Sequence, residues 1–282
     1  RAREMLECLP QDVREELRDK LDLTDQELEL WEEIGRRMRL VFHGDGIISQ
    51  FEGYEKLEEF DWDGYRKKYG DIQRLDRILE AENDTPNRYK ASKQADVLML
   101  FYLLSAEELK EIFENLGYDF QHDTIPKNIG YYIKRTSHGS TLSRVVHSWV
   151  LSRSDRTGSW HLFSEALKSD VSDIQGGTTP EGIHLGAMAG TVDQLQRGYT
   201  GIVTREDVLW LNPCLPREVQ CLRLRIRYRH RFLEIEIDSD ALKVIGPVEL
   251  EKPIRIGFNE EIYELSSGET LYFDLSPRHR TD

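Results

Sequence analysis

The sequence predicts a mainly α-helical protein, most simply a portion of an α/α toroid, followed by a small C-terminal antiparallel β-sandwich. Three observations carry this. The hydrophobic period changes near residue 204, from helical spacing before it to strict alternation after it. Helical stretches that are apolar all round alternate with amphipathic ones. Six short alternating segments, punctuated by turn residues, crowd into the last eighty positions. The division places a helical unit at 1–204 and a β unit at 205–282.

Taking the elements in order, residues 1–40 give amphipathic helices rich in Asp and Glu, with the acids on solvated faces. The stretch Gly44-Asp-Gly-Ile-Ile-Ser-Gln-Phe-Glu-Gly-Tyr54 reads either as a β-turn connection or as an aromatic loop facing a sugar ring. Residues 95–104 are apolar on every side, whereas 107–116 place Leu109, Ile112, Phe113 and Leu116 on one face. Residues 140–151 and 183–195 are again apolar nearly all round, and a helix without a polar face is expected to be enclosed. Two concentric rings of helices produce this alternation; a multi-helix bundle around one central helix produces it equally well. Beyond 204, segments 222–228, 232–237, 242–245, 254–258, 262–265 and 271–275 read as strands, with Gly246-Pro247 and Ser266-Ser-Gly268 as turns.

Composition narrows the function. The 282 residues carry a formal charge of -14, which disfavours nucleic acid and anionic membranes as partners. No apolar run approaches the ~20 residues of a membrane helix, and no signal peptide is evident. Cys8, Cys214 and Cys221 match no metal spacing and no disulfide framework, so reduced thiols in a cytoplasmic protein are expected. The chain opens on Arg1, which suggests a fragment, a cleavage product or one chain of a split enzyme.

The chemistry concentrates ahead of the three apolar helices. Ser92, Lys93 and Gln94 precede the first, Thr136-Ser-His-Gly-Ser-Thr141 the second, and Asp173-Ile-Gln-Gly-Gly-Thr-Thr-Pro-Glu-Gly-Ile-His184 the third. Parallel helices would gather these segments at one end. Helix starts offer free N–H groups and the positive dipole end, and glycines admit a ligand to the backbone. The combination suits an oxyanion such as phosphate. Plain helix capping explains each segment taken alone, and Lys93 could simply extend to solvent. Capping does not need the Gly-Gly and His-Gly insertions, and three such segments occur together.

Gln50-Phe-Glu-Gly-Tyr54, Lys93-Gln-Ala-Asp-Val-Leu98, Thr136-Ser-His-Gly-Ser-Thr-Leu-Ser143 and Gly177-Thr-Thr-Pro-Glu-Gly-Ile-His-Leu-Gly-Ala-Met-Ala-Gly190 together resemble the C-terminal part of glycoside hydrolase family 65. That family includes maltose, trehalose, kojibiose and nigerose phosphorylases. The resemblance implies an (α/α)6 barrel in which inorganic phosphate splits an α-glucosyl disaccharide with inversion, giving glucose 1-phosphate and a sugar. It implies that Lys93 and Gln94 hold the glucose ring, and that Ser137, Ser140, Thr141, Gly177 and His184 line the phosphate site. No metal or cofactor is implied beyond phosphate as co-substrate. The family's general acid is a Glu in an Asp-Glu-Tyr motif that this chain lacks; it is expected upstream of Arg1. The chain alone is therefore expected to be inactive, with the missing N-terminal part of the enzyme as a partner and a homodimer as the family's assembly. The alternatives are a non-catalytic carbohydrate-binding or assembly module, and a hydrolase of the same superfamily.

Overall fold

The computed structural model describes residues 2–174, 177 and 179–275. Gln175, Gly176 and Thr178, which belong to the third polar segment, lie outside the described residues. Three helices open the chain: α1 (Ala2–Glu7), α2 (Gln11–Leu21) and α3 (Asp25–Arg37). Thr24 caps α3, its hydroxyl accepting from the Glu27 amide at 3.2 Å. Neither α2 nor α3 buries a residue. A hairpin of β1 (Phe42–His43) and β2 (Ile47–Ile48) follows. Gly44 and Gly46 turn it at φ 54° and 74°, where a Cβ is disfavoured. The glycine-rich stretch is thus a β-turn connection. Of its two aromatics, Tyr54 is in the core and Phe51 is exposed. Helices α4 (Trp62–Tyr69) and α5 (Leu75–Ala81) are short, and Leu75 and Leu79 of α5 pack with Phe60.

Six helices make the centre: α6 (Asp96–Leu103), α7 (Ala106–Asn115), α8 (Thr124–Ile133), α9 (Thr141–Leu151), α10 (Arg156–Lys168) and α11 (Leu185–Asp193). Their starts follow from sequence in two cases. Ser105 and Glu108 form a reciprocal capping box on α7, and Asp155 caps α10 through the Gly158 amide. Helix α9 is the hub, touching α6, α10 and α11. Ala187 of α11, Ala166 of α10 and Val145 of α9 form a small buried cluster, and Gly190 lets α11 approach Val145 closely.

Helices α6, α9 and α11 run in the same direction. Near their ends, the Tyr102 ring meets the Trp149 ring at 5.1 Å, and the Tyr102 hydroxyl donates to Asp193 at 2.9 Å. Near the starts of α6 and α9, Ser92 and Thr136 pair as an isolated parallel bridge.

One expectation is corrected. The helix predicted over 183–195 is not enclosed: Ile183, Leu185 and Val192 are 67%, 72% and 60% exposed, while Ala187, Gly190 and Thr191 are buried. The described helix begins at Leu185 and passes into a π-helical turn, Gln194–Gly198. Apolar composition marks a face that avoids water, but not whether this chain itself covers it.

The C-terminal strands are β3 (Val203–Arg205), β4 (Val208–Trp210), β5 (Cys221–Tyr228), β6 (Arg231–Asp238), β7 (Ala241–Ile245), β8 (Ile254–Phe258), β9 (Glu261–Leu265) and β10 (Thr270–Asp274). They form two four-stranded sheets, ordered β10-β7-β6-β5 and β3-β4-β8-β9. Alternation works as predicted in β5 and β6. Leu224 pairs with Ile235, which turns inward, while Arg223 and Arg225 stand opposite Glu236 and Glu234. Residues from both sheets share one core, in which Leu233, Ile235, Leu242, Val244, Ile256 and Leu265 are fully buried. The expectation of a wholly antiparallel arrangement is corrected: β4 and β8 pair in parallel. The crossover between them passes through β5, β6 and β7, a long-range pairing that local alternation does not encode.

Gly190 yields a test of the α9–α11 contact. A Cβ there would lie 2.6 Å from Val145 Cγ1, against a stiff β-branched side chain. Overpacking costs about 1–3 kcal/mol and outweighs the roughly 1 kcal/mol that alanine gains in a helix. Gly190→Ala should therefore lower the urea midpoint of this chain, whereas a raised midpoint would mean that α11 does not lie on α9 in this way.

Candidate active site

The first two polar segments are joined by main-chain bonds. The Ser92 amide donates to the Arg135 carbonyl at 2.8 Å, and the Ser137 amide donates to the Ser92 carbonyl at 2.9 Å. Gln50 ties the first of them to the start of α6. Its Nε2 donates to Ser92 Oγ at 2.6 Å, and its Oε1 accepts from the Asp96 amide at 2.9 Å, capping α6 from a distance. The Lys93 stem lies over Gly139: a Cβ at Gly139 would sit 2.9 Å from Lys93 Cγ and 2.5 Å from the Gln73 carbonyl oxygen. Only glycine lets these three segments close on one another. Lys93, Ser137 and Gly139 are therefore neighbours, with Lys93 exposed and Gln94 half-buried next to it in sequence. The Ser137 hydroxyl donates to the Gln73 carbonyl through a long 3.4 Å bond, which a better acceptor could replace.

Ser140 and Thr141 open α9. Ser140 occupies the capping position, but its side chain makes no capping bond. Thr141 is 6% exposed. The start of α11 is similar: His184 stands at the capping position and does not cap. Its Nδ1 lies 2.5 Å from Asp170 Oδ1, and its amide donates to Asp170 Oδ2 at 2.9 Å. The side-chain bond from His184, followed by the main-chain one, holds the Asp170 carboxyl below the usual carboxylate range. An ionised carboxylate only accepts, so Nδ1 carries the proton and Nε2 is the ring atom left for a ligand. Upstream, Asp173 folds the loop around itself: it accepts from the Gly177 amide at 2.7 Å and from the Thr179 hydroxyl at 3.1 Å.

The structure thus groups Lys93 and Ser137 directly, and Ser140 and Thr141 adjoin them in the chain. Among the described residues no hydrogen bond ties His184 or Gly177 to that group; the shared direction of α6, α9 and α11 sets them at the same end. Among the described residues no cluster of three or more His, Cys, Asp or Glu could hold a metal, and no helix is long and apolar enough to cross a membrane.

Sequence reasoning missed the supporting residues Gln50, Gln73, Arg144 and Asp170. Gln50 stood in a family-like motif without a role, and Arg144 left a signal as the one cation of its helix; it is 2% exposed. His138 and His147 meet edge to face at 4.6 Å between ring centroids. His138 Nδ1 meets Ser143 Oγ at 3.1 Å, whereas both ring nitrogens of His147 are buried without a partner. Burial first, then the Arg144 charge, pushes His138 down to about 4. Burial, then His138, pushes His147 down to about 3.

Comparison with known proteins adds independent findings. The profile of the glycosyl hydrolase family 65 central catalytic domain matches residues 1–193, and that of the family's C-terminal domain matches residues 202–265. An "uncharacterized glycosyl hydrolase" of Mycobacterium tuberculosis is 56% identical over 77% of this chain and 16% of its own length. Trehalose 6-phosphate phosphorylase of Lactococcus lactis is 33% identical over 92% of this chain and 34% of its own. A kojibiose phosphorylase of Caldanaerobacter subterraneus is 31% identical over 71% of this chain and 24% of its own. The chain therefore spans about a third or less of these curated relatives. In structure it resembles a putative kojibiose phosphorylase from the human microbiome, at a TM-score of 0.71 and 22% identity, over 93% of this chain and 34% of that one.

The histidine pair makes stability depend on pH. Above about 6.5, both rings are neutral whether the chain is folded or unfolded, and stability is full. Below it the unfolded rings take protons that the folded rings refuse. Stability then falls by up to about 1.4 kcal/mol per pH unit per ring, until the folded values near 4 and 3 are reached. His147→Leu should flatten the fall between pH 6.5 and 4, measured by urea midpoints. Identical pH profiles for the two proteins would contradict the burial of this ring.

Proposed function

Because this chain belongs to glycosyl hydrolase family 65, we propose that it supplies the phosphate- and glucose-binding part of an inverting glycoside phosphorylase. The carrying observation is that α9 and α11 begin without a side-chain cap where Ser140 and His184 stand. Helix starts left uncapped in this way favour an external anion. The proposal divides the chain at residue 204, into part of an (α/α)6 toroid with α6, α9 and α11 in its inner ring, and a β-sandwich made of the two sheets.

In the proposed reaction, Lys93 and Gln94 bind the glucose hydroxyls. Ser137, Ser140, Thr141, Gly177 and His184 hold inorganic phosphate, which attacks the anomeric carbon from the face opposite the leaving sugar. Phosphate is already a nucleophile, so the second carboxylate that an inverting hydrolase uses to activate water has no task. With Nδ1 donating to Asp170, Nε2 of His184 accepts from a phosphate hydroxyl, or donates to a phosphate oxygen when the ring carries both protons. The general acid belongs to the portion of the enzyme outside this chain. The substrate class is an α-glucosyl disaccharide or its phosphate ester, and trehalose, trehalose 6-phosphate and kojibiose are the first to test. Assembly as a homodimer and a cytoplasmic location complete the reading.

Hydrolysis is the second reading, favoured by the printed name of the mycobacterial relative. One assay separates the two. Expressed with the complementary N-terminal portion of a family 65 phosphorylase, the chain should release glucose 1-phosphate from one of these sugars only when phosphate is present. Release of free glucose independent of phosphate overturns the proposal in favour of hydrolysis. Alone, the chain should show no turnover but should bind inorganic phosphate in calorimetry. Ser137→Ala and His184→Ala should each weaken that binding about tenfold or more, the scale of a lost hydrogen bond to a charged group.

A further inference from the structure

We infer that Arg144 is a positioning residue that shapes the loop at residues 137–141 from beneath, acting through Gln73. The inference rests on the phosphate reading for its consequence, but on geometry for its substance. The guanidinium is buried and reaches three separate segments. Nε donates to Glu165 of α10 at 3.1 Å, Nη1 to the His138 carbonyl at 3.2 Å, and Nη2 to Gln73 Oε1 at 2.7 Å. Gln73 in turn faces the same loop with its main chain. Its carbonyl accepts from Ser137 Oγ and lies 2.5 Å from where a Gly139 side chain would begin. Arg144 therefore fixes the loop twice, directly at His138 and indirectly through Gln73.

The loop needs such fixing. His138 holds a φ of 56°, a left-handed conformation that non-glycine residues keep only when their surroundings impose it. The Arg144 bond to the His138 carbonyl and the Ser143 bond to its ring are the restraints that impose it. A hydrophobic side chain would fill the same space without the desolvation of a buried cation. What arginine adds is a rigid planar fork that can hold several acceptors at set angles. Two of those acceptors, the His138 carbonyl and Gln73, belong to or touch the loop that carries Ser137, Ser140 and Thr141. Misplacing binding groups by about 1 Å can cost on the order of 100-fold in function.

The test uses this chain with inorganic phosphate as the probe, and reads two quantities. In the absence of phosphate, amide hydrogen exchange at residues 138–143 should quicken about tenfold or more in Arg144→Met. In titrations, phosphate affinity should fall roughly 10- to 100-fold. Arg144→Lys should recover part of both, since it keeps the charge but loses the fork. Val150→Ala, a buried change on the same helix, should lower the melting temperature without moving either quantity. Wild-type exchange at the loop in Arg144→Met overturns the inference, and so does a Val150→Ala protein that behaves like Arg144→Met. If the native chain binds no phosphate, the functional reading fails, and the exchange data alone decide whether Arg144 shapes the loop. Should Arg144→Met not fold, Gln73→Ala decides in its place by the same two measurements.

Discussion

The common direction of α6, α9 and α11 is the constraint on which the rest depends. Parallel helices place their positive ends together, and the three polar segments arrive at that end as a consequence. The contacts that impose the direction lie at the far end, where Tyr102 meets Trp149 and Asp193. At the near end, the Ser92–Thr136 bridge joins the first two segments, and the Gln50 side chain fixes the first of them to α6. Small residues do the remaining work. Gly190 and Ala187 admit α11 to α9, and Gly139 admits Lys93 and Gln73 to the loop. Close approach without side-chain bulk is what packs a polar loop against a helical core.

An anion site in a chain of formal charge -14 appears contradictory, and screening resolves it. Surface charges more than a Debye length away, about 8–10 Å at ordinary ionic strength, contribute little. Many acids stand on the exposed faces of α1, α2 and α3, several of them paired with arginine, as Glu32 and Glu33 are. Near the candidate site the local groups decide. Those are uncapped amide ends, hydroxyls, Lys93 and a histidine whose carboxylate partner is already engaged.

Much of this was legible in the sequence, and the exceptions share a cause. Strands β5 and β6 follow from alternation, because one face of the sheet is buried and period two records that directly, and the shorter strands after them from apolar segments between turn residues. Helix α6 follows from a nearly unbroken apolar run, and α9 from apolar residues spread around most of its circumference. The parallel pairing of β4 with β8 did not follow, since partners far apart in sequence leave no local mark. The open face of α11 did not follow either, because Leu185 and Val192 look alike to a pattern whether covered or bare. At the candidate site, the residue types that could contact a ligand were visible as oddities before helices. Those that hold them were not. Gln73 and Asp170 sit in ordinary loop sequence, and their partners Arg144 and His184 are 71 and 14 positions away.

The proposed chemistry bears on how the binding groups are distributed along the sequence. In an inverting displacement the nucleophile and the proton donor approach the anomeric carbon from opposite sides. Their binding groups need not be contiguous in sequence, only held across the sugar from each other. The groups suited to phosphate and glucose lie on segments that brace one another: Gln50 on Ser92, Lys93 over Gly139, Gln73 on Ser137 and Arg144, Asp170 on His184. Each link joins residues within this chain. On the proposed reading, the nucleophile's side of the reaction would be preorganised by these links, and the proton donor's side would come from a different part of a longer protein.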